Sequence, residues 1–342
     1  MTDLPFASIV VPVFNGSDTI DDLLQSLMAL NYPRGRYEII VVDNNSRDNT
    51  PQRVQQYPVK LLYEHQIQSS YAARNRGVKA AKGEIIVFTD ADCVAHPGWL
   101  RHLLADYADH RWGGFAGRIE ACQPCTDVQR HLTNIGWFTL PLSQWQFSVP
   151  QSRGELLCSH LKILDYRSDI SLPSDLVNPP TANVAYRQQV FDEIGYFDPR
   201  LTSGGDMDFA WHVQTQTDWQ IKVIPEAIIY HSHRRNLAGM AKQYRSYGWG
   251  HSLLALKYGS NPHRVARQVG IESLLLIGLS VANQSLNFCV RLLRSLLQRP
   301  SDDLYLKLPI FNVVGSVNYY YGRLTGARKG NQWLSQNSIE ET

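Results

Sequence analysis

Residues 84–92 read EIIVFTDAD, an apolar run that ends in two aspartates separated only by Ala91. Four consecutive apolar residues, three of them β-branched, predict a buried strand. Carboxylates are costly to bury without partners, so Asp90 and Asp92 at the end of such a strand indicate a bound cation or polar ligand. Both side chains would then lie where the strand leaves its sheet.

Similar apolar runs alternate with helical patterns through the first half of the chain. Strands are predicted at residues 8–14, 37–42, 59–63 and 84–89, and helices from 17 or 18 to about 30, after residue 50 and at 69–81. Continuous apolar strands separated by amphipathic helices are typical of a mainly parallel sheet covered on both faces. The predicted fold class is therefore α/β, with ligands expected beyond the carboxyl ends of the strands.

Polar side chains follow three of these strands. Asn15 comes after the first strand, Asp43 after the second, and Asp90 and Asp92 after the fourth. Because the strands are predicted to be parallel, all four side chains should lie along one rim of the sheet. Any single aspartate could instead cap a helix or form a turn, and for Asp43 alone the two interpretations are equally favoured. Several carboxylates at one edge favour a ligand site.

The composition excludes some classes of function. The 342 residues are 44% hydrophobic with a net charge of +2, and no basic helix is interleaved with aromatic residues, so a nucleic-acid partner is not expected. Five cysteines, an odd number, fit reduced thiols, and the pair Cys122 and Cys125 lacks a second pair at zinc spacing. The start of the sequence, MTDLPFASIVVPVF, does not resemble a signal peptide, which predicts a cytoplasmic protein.

The second half of the chain is less regular. A strand is predicted at 114–119 and a helix at 129–138, whereas residues 140–176 are interpreted as a variable insertion. Regular structure is predicted again at 183–186, with helices at 188–194 and 206–215 and short strands at 220–224 and 227–230.

The C-terminal third has a different character. A helix is predicted at 236–256, and residues 273–290 contain no charge over 18 residues, the lower limit for a membrane span. Asn283, Gln284 and Asn287 would be costly inside a bilayer. Between Cys289 and Gly330, seven arginines and lysines outnumber two aspartates. Contact with an anionic membrane surface is favoured, and packing on the preceding domain or a true span stays open.

The motifs together resemble the family 2 glycosyltransferases, which have the GT-A fold. The resemblance covers roughly residues 7–255 and rests on the order and spacing of SIVVPVFNGSDTI, VVDNNSRDNT, AARNRGVKAAKGEIIVFTDADC, ANVAYRQQVFDEIGYFD, SGGDMDF, YHSHRR and QYRSYG. It implies inverting transfer of a sugar from a nucleotide-sugar donor. It also implies a catalytic domain over residues 1–235, with a donor half to about 120 and an acceptor half after it, and a helical extension over 236–342.

The resemblance assigns roles to residues of the donor site. Asp92 and His231 would hold a divalent cation, Mn²⁺ or Mg²⁺, whose preference for oxygen ligands and phosphate suits a nucleoside diphosphate leaving group. Asp90 would contact the ribose, and Asp43 would accept a hydrogen bond from the nucleobase. The remaining donor-binding residues implied are Pro12, Phe14 and Asn15 in the first loop, Arg74 on the third helix, and Asn183.

The catalytic base implied by the resemblance is Asp206, which would take the proton of the acceptor hydroxyl. Three residues depart from the family pattern: Gly205 replaces the usual glutamate, His212 stands where many relatives have arginine, and Asn44 replaces a second acidic residue, which leaves the preferred nucleobase open. Asp208 is expected to orient local structure. Both aspartates could alternatively serve only to stabilise the first turn of a helix.

A UDP-sugar is the default donor, with GDP- and dTDP-sugars open. The basic, partly apolar C-terminus suggests a glycan or lipid-linked acceptor made at the cytoplasmic membrane face. Arg234, Arg235, Gln243 and Arg245 would hold the diphosphate or an acidic acceptor, or form a solvated basic surface. Two alternative functions are a non-catalytic sugar-nucleotide-binding protein with a degenerate site and, less favoured, a sugar nucleotidylyltransferase, whose basic glycine-rich first loop is missing here.

Overall fold

The computed structural model describes residues 4–135, 176–259, 262–297 and 304–337. The chain divides into two compact units. Of the described residues, the first unit contains 4–123 and 176–233, and the second contains 124–135, 234–259, 262–297 and 304–337. Most of the insertion predicted at 140–176, and the end of the helix predicted at 129–138, lie outside the described residues.

The described part of the first unit contains an eight-stranded mixed sheet. Its strands are β1 Ala7–Val13, β2 Tyr37–Asp43, β3 Lys60–Tyr63, β4 Ile85–Phe88, β5 Cys93–Ala95, β6 Trp112–Ala121, β7 Val184–Arg187 and β8 Gln220–His231, in the spatial order β3-β2-β1-β4-β7-β6-β8-β5. The first four strands pair in parallel, and β6 is parallel to β8. Strand β7 is antiparallel to β4 and β6, and β5 is antiparallel to β8.

Helices follow the strands as the alternating pattern predicts. They are α1 Ile20–Met28, α2 Thr50–Val54, α3 Ser70–Ala80, α4 Trp99–Leu103, α5 Asp127–Asn134, α6 Gln188–Ile194 and α7 Gly205–Gln216, of which α5 belongs to the second unit. Ser69 is the N-cap of α3, where its hydroxyl accepts a hydrogen bond from the backbone N–H of Tyr71 at 3.3 Å.

Apolar residues are buried on both faces of the parallel strands. Every residue of β1 is buried, and Ile9 and Val11 belong to the same apolar cluster as Leu23 and Leu27 of α1. On the other face, β2 contributes to a smaller cluster that includes Ala73 of α3. Fully burying one such aliphatic side chain contributes about 1.5–3 kcal/mol. The sheet therefore holds its carboxyl ends at fixed positions between two helical layers.

Two strand predictions are wrong in detail. The short strands predicted at 220–224 and 227–230 form one strand, β8, because Pro225 lies in a bulge: Gly117 pairs with Ile224, but the next residue, Arg118, pairs with Ile228. A proline lacks the N–H that a regular ladder needs, and a bulge accommodates it. Strand β5 was not predicted, because three residues are too few to show a pattern.

The second unit contains three long helices, α8 Leu237–Tyr258, α9 Pro262–Leu297 and α10 Leu304–Asn337. Helices α8 and α10 pack closely at glycines, since a Cβ atom on Gly248 would lie 1.9 Å from the carbonyl oxygen of Tyr319. Arg323 of α10 forms a buried ion pair with Glu272 of α9, at 2.8 Å. Within the described residues, Val265–Leu292 is long and apolar enough to cross a membrane, with a mean hydropathy of 1.5.

Helix α3 packs closely on β1 at Gly77. A Cβ atom there would lie 2.4 Å from Cγ1 of Val10. We expect Gly77→Ala to lower the free energy of unfolding by about 1–3 kcal/mol, because the branched Val10 side chain is buried and cannot move aside. Urea denaturation measures the change. The matched control is Gly35→Ala, where a Cβ atom would have no neighbour within 4 Å; equal effects of the two substitutions would contradict the contact.

Candidate active site

The loops after β1 and β2 are tied together at the carboxyl edge of the sheet. Asn15, exposed and with a φ of 49°, accepts a hydrogen bond from the backbone N–H of Arg47 at 2.7 Å. Its own N–H donates to the Ser46 hydroxyl at 2.8 Å, and the Ser46 N–H donates to Oδ2 of Asp43 at 3.1 Å. Asn15 and Asp43 are thus brought together, and Phe14 beside them is 46% exposed.

Pro12 is placed differently from the prediction. It lies within β1 and is buried, opposite Val42, and is not part of the first loop. The pairing of β1 with β4 ends at Val10 and Phe88, so the β1 backbone has no β4 neighbour at residue 12. A proline is tolerated there because no ladder hydrogen bond is required of it. Asp90 and Asp92 follow β4 just beyond the point where this pairing ends.

One carboxylate oxygen of Asp43 has no hydrogen-bond partner among the described residues. The residue is 2% exposed, and this oxygen, Oδ1, is buried. Buried acceptors are almost always satisfied, so Oδ1 is suited to accept a hydrogen bond from a ligand.

The neighbouring Asn44 has a structural task. Its amide nitrogen donates to the carbonyl oxygens of Glu64 and Ile67, both at 2.9 Å. A carboxylate could not donate these bonds, which gives the physical reason that an acidic residue is replaced at this position. Asn44, which departs from the family pattern, therefore holds the loop after β3.

Arg74 joins the loop after β4 to helix α3. Its guanidinium nitrogen lies 2.5 Å from Oδ1 of Asp90, and its side chain is 4% exposed compared with 32% for the aspartate. The Nε atom of Arg74 is buried without a hydrogen-bond partner among the described residues. A buried guanidinium that keeps a free donor beside a half-exposed carboxylate suits a site for a polar, anionic ligand.

Asp92 and His231 are brought together by the edge of the sheet. Strand β5 pairs with β8 so that Cys93 lies opposite His231, and the Ser232 N–H donates to the carbonyl oxygen of Asp92 at 2.8 Å. Nε2 of His231 consequently lies 3.5 Å from Oδ1 of Asp92. Strand β8 thus reaches His231, one residue further than predicted, and the ring of His233 lies 5.4 Å from that of His231.

Asp92 and His231 alone would provide only some of the ligands that a hard divalent cation needs. Among the described residues there is no group of three or more histidine, cysteine, aspartate or glutamate side chains suited to a metal ion. Mg²⁺ and similar ions, however, are commonly held by one or two protein ligands together with substrate phosphates and water. A carboxylate oxygen and an imidazole nitrogen at this spacing fit that kind of site.

Asp206 lies in the first turn of α7, after Gly204, whose left-handed φ of 82° starts the helix. Its Oδ1 accepts hydrogen bonds from the Tyr71 hydroxyl at 3.3 Å and from the Met207 N–H at 3.1 Å. Burial raises the pKa of the Asp206 carboxyl, while the positive charge of Arg74 and these hydrogen bonds oppose the shift. A carboxylate with a raised pKa is a stronger base near neutral pH.

Tyr71 was missed in the sequence. It is three residues before Arg74 on α3, so both side chains lie on one face of the helix, and the Arg74 guanidinium is 5.4 Å from the Tyr71 ring. The three-residue spacing from Arg74 was the sequence signal that could have identified Tyr71. Asp208, two residues after Asp206, is 2% exposed.

The side chain of Asn183 forms hydrogen bonds with other residues of the first unit. Its amide donates to the carbonyl oxygens of Arg118 and Ala227, at 2.8 and 2.9 Å, and accepts a hydrogen bond from the Trp99 indole at 2.8 Å. The residue is 0% exposed. This arrangement favours a structural role for Asn183 over contact with a ligand.

Comparison with known proteins identifies the family of this chain. A family model described as Glycosyl transferase family 2 matches residues 8–195, more than half of the chain. Glycosyltransferase AglE of Haloferax volcanii is 27% identical over 251 residues, which cover 71% of this chain and 72% of that protein. The pre-mycofactocin glycosyltransferase of Mycobacterium tuberculosis is 24% identical over 256 residues, covering 73% of this chain; the chain spans about half of that relative's length, 48%.

Among solved structures, the mannosyltransferase PcManGT from Pyrobaculum calidifontis, in complex with GDP-Man and Mn²⁺, is similar to this chain. Its TM-score is 0.55 at 17% sequence identity, with 94% of this chain and 88% of that chain covered. This likeness concerns the fold and agrees with the GT-A architecture predicted from the motifs. With the family model matched over most of the sheet and its loops, the chain belongs to the family 2 glycosyltransferases.

Proposed function

We propose that this chain transfers a sugar, with inversion, from a nucleotide-sugar donor to a glycan or lipid-linked acceptor, and that Asp206 is the catalytic base. The observation that carries the proposal is the placement of Tyr71 and Arg74 on one face of α3, where one side chain contacts Asp206 and the other contacts Asp90. Groups for the donor and for proton transfer are thereby held by a single helix. A UDP-sugar is the donor we favour.

In the proposed reaction, the Asp206 carboxylate takes the proton of an acceptor hydroxyl as its oxygen attacks the anomeric carbon. The bond from that carbon to the diphosphate breaks, and its electron pair leaves with the nucleoside diphosphate. Asp92 and His231 would hold Mn²⁺ or Mg²⁺, which when bound neutralises charge on the leaving group. Oδ1 of Asp43 would accept from the nucleobase, Asp90 would contact the ribose, and Arg74 would support Asp90.

Phe14 and Asn15 would line the nucleotide side of the site, consistent with their exposure beside Asp43. For Pro12 and Asn183 the donor contacts would have to be indirect, through β1 and through the amide network around Asn183. Arg245 donates to Asn318 at 2.7 Å within the second unit.

Contact with the cytoplasmic face of a membrane is also proposed. Helix α9 buries Glu272, Ser273 and Leu276 within the second unit, while apolar side chains elsewhere on the helix are exposed. Those more than 40% exposed are Ile271, Leu274, Leu275, Leu279, Val281, Leu286 and Leu292. An apolar helix near basic residues suits the interface of an anionic bilayer and would bring the enzyme to a lipid-linked acceptor.

Nucleotide binding tests the donor site. A screen of nucleoside diphosphates and nucleotide sugars, with and without Mn²⁺, should raise the Tm for one nucleobase, because a ligand at 100 times its Kd stabilises the folded state by about 2.7 kcal/mol. Asp92→Asn should abolish the part of the shift that depends on Mn²⁺, and Asp90→Asn should weaken the shift with or without the ion. In turnover, Asp92→Asn should cost more than Asp90→Asn, and the reverse order would overturn the division of tasks.

The base is tested by the pH dependence of turnover. Because a base acts only when deprotonated, kcat/KM should fall as the pH drops through the pKa of Asp206, and the raised pKa places this acid limb above the ordinary aspartate value of about 3.9. Asp206→Asn should lower kcat by at least about 100-fold without changing nucleotide binding. Unchanged turnover in this variant would exclude Asp206 as the base, and a wild type that binds nucleotide sugars without turnover would support the non-catalytic alternative.

Vesicle binding tests the membrane proposal. The double substitution of Leu279 and Leu286 by glutamine should weaken binding to anionic vesicles by about tenfold or more, since each lost apolar contact is worth about 1 kcal/mol or more. Flotation with phosphatidylglycerol vesicles measures it. The matched control is Val223→Gln, which changes an exposed apolar side chain of the first unit. Equal binding of the double variant and the wild type would defeat the proposal.

A further inference from the structure

Tyr71 is a buried tyrosine whose hydroxyl reaches the proposed base. The residue is 4% exposed, and its ring lies 5.8 Å from that of Phe197. Burial, together with the negative charge of Asp206, raises the pKa of the Tyr71 hydroxyl well above its ordinary value. The hydroxyl therefore stays protonated over the working pH range and remains a hydrogen-bond donor to Asp206.

The contact depends on the glycine next to Asp206. A Cβ atom on Gly205 would lie 2.8–3.0 Å from three carbon atoms of the Tyr71 ring. Gly205 is not among the described residues with a positive φ, so the backbone at this position does not itself require glycine. The ring of Tyr71 thus occupies space beside residue 205, where the resemblance to the family would place a glutamate side chain.

Further hydrogen bonds hold the segment before Asp206 against the same helix. The Ser69 hydroxyl donates to the carbonyl oxygen of Leu201 at 3.3 Å. The side chain of Asn75 exchanges two hydrogen bonds with the backbone of Phe197, donating to its oxygen at 2.7 Å and accepting from its N–H at 3.1 Å. Ser69, Tyr71 and Asn75 thus connect the start of α3 to the segment that carries Asp206.

The bonding pattern of Asp206 has a chemical consequence. Tyr71 and the Met207 N–H both donate to Oδ1, and no described side chain hydrogen-bonds to Oδ2. One oxygen is thus fixed while the other is left for a proton. Arg74 and Tyr71 from α3 act on the carboxylate, and burial together with the charge of Asp206 raises the pKa of Tyr186 in β7.

We propose that Tyr71 is the positioning residue for Asp206, and that the absence of a side chain at Gly205 is what admits it. The inference rests on the proposed role of Asp206 as base. The Tyr71 hydroxyl fixes the rotamer of the carboxylate so that Oδ2 faces the acceptor hydroxyl. In this chain, a tyrosine from α3 supports the base from the side on which relatives carry an acidic residue.

Tyr71→Phe tests the hydroxyl while keeping the ring. We expect kcat to fall by about tenfold, with the KM for the nucleotide sugar changed by less than about twofold, because the hydroxyl acts on the base and not on donor binding. The acid limb of kcat/KM should move to higher pH by about half a unit, since the lost bond favoured the charged carboxylate. Turnover is measured with the nucleotide sugar that gives the largest Tm shift.

The matched control is Tyr32→Phe. It removes another buried tyrosine hydroxyl, which donates to the carbonyl oxygen of Pro5 at 2.7 Å. This variant should leave the pH profile in place even if its Tm is lower. A shift of the acid limb in Tyr32→Phe as large as that in Tyr71→Phe would contradict a specific role for Tyr71.

Gly205→Ala provides a second, independent variant. The added methyl group must displace the ring, although alanine by itself favours a helix. Gly205→Ala should therefore lower kcat as Tyr71→Phe does, and the double variant should be no worse than either single one, because both remove the same contact. Additive losses would overturn the link between the two residues.

A measurement without ligand completes the test. At pH 8, Tyr71→Phe should lower the Tm by about 2 °C in the wild type and by clearly less in the Asp206→Asn background. If Asp206→Asn is inactive but Tyr71→Phe matches the wild type in kcat, pH profile and Tm coupling, this inference fails and the proposed function stands. If Asp206→Asn is active, the proposed base fails first.

Discussion

The buried guanidinium of Arg74 is the constraint on which the proposed site depends. A buried cation is tolerated only with close partners, and here it has the carboxylate of Asp90 on one side and the ring of Tyr71 on the other. The ion pair of Arg74 with Asp90 fixes the loop after β4 relative to α3. Because Tyr71 in turn contacts Asp206, the same constraint extends to the first turn of α7.

Much of the parallel part of the sheet could be predicted from the sequence, because its strands and helices show continuous patterns. Strands β1, β2 and β4 and helix α3 were predicted to within a residue or two, and the edge at which Asp43 and Asp90 lie follows from parallel pairing. Pro12 was assigned to the first loop from its motif, although the strand predicted at 8–14 already contained it, and its pairing with Val42 keeps it in the sheet.

Other features could not be predicted because they arise from tertiary contacts. A three-residue strand such as β5 exists only because β8 pairs with it, and the bulge at Pro225 is visible only in the register with β6. Tyr71 has no distinguishing signal apart from its spacing to Arg74. The amide of Asn183 could be taken for a ligand contact because the motif does not reveal that three protein groups already bind it.

Because β5 pairs with β8, Asp92 and His231, the proposed ligands of a cation, lie close together although they are far apart in the sequence. The aspartate belongs to the turn that leaves the parallel strands, and the histidine arrives only when the last strand reaches the sheet edge. Bringing residues so far apart together costs loop-closure entropy, which the pairing of β5 with β8 must offset. A chain truncated before β8 would thus retain Asp43, Asp90 and Asp92 but lack His231, so the proposed cation site requires the last strand of the sheet.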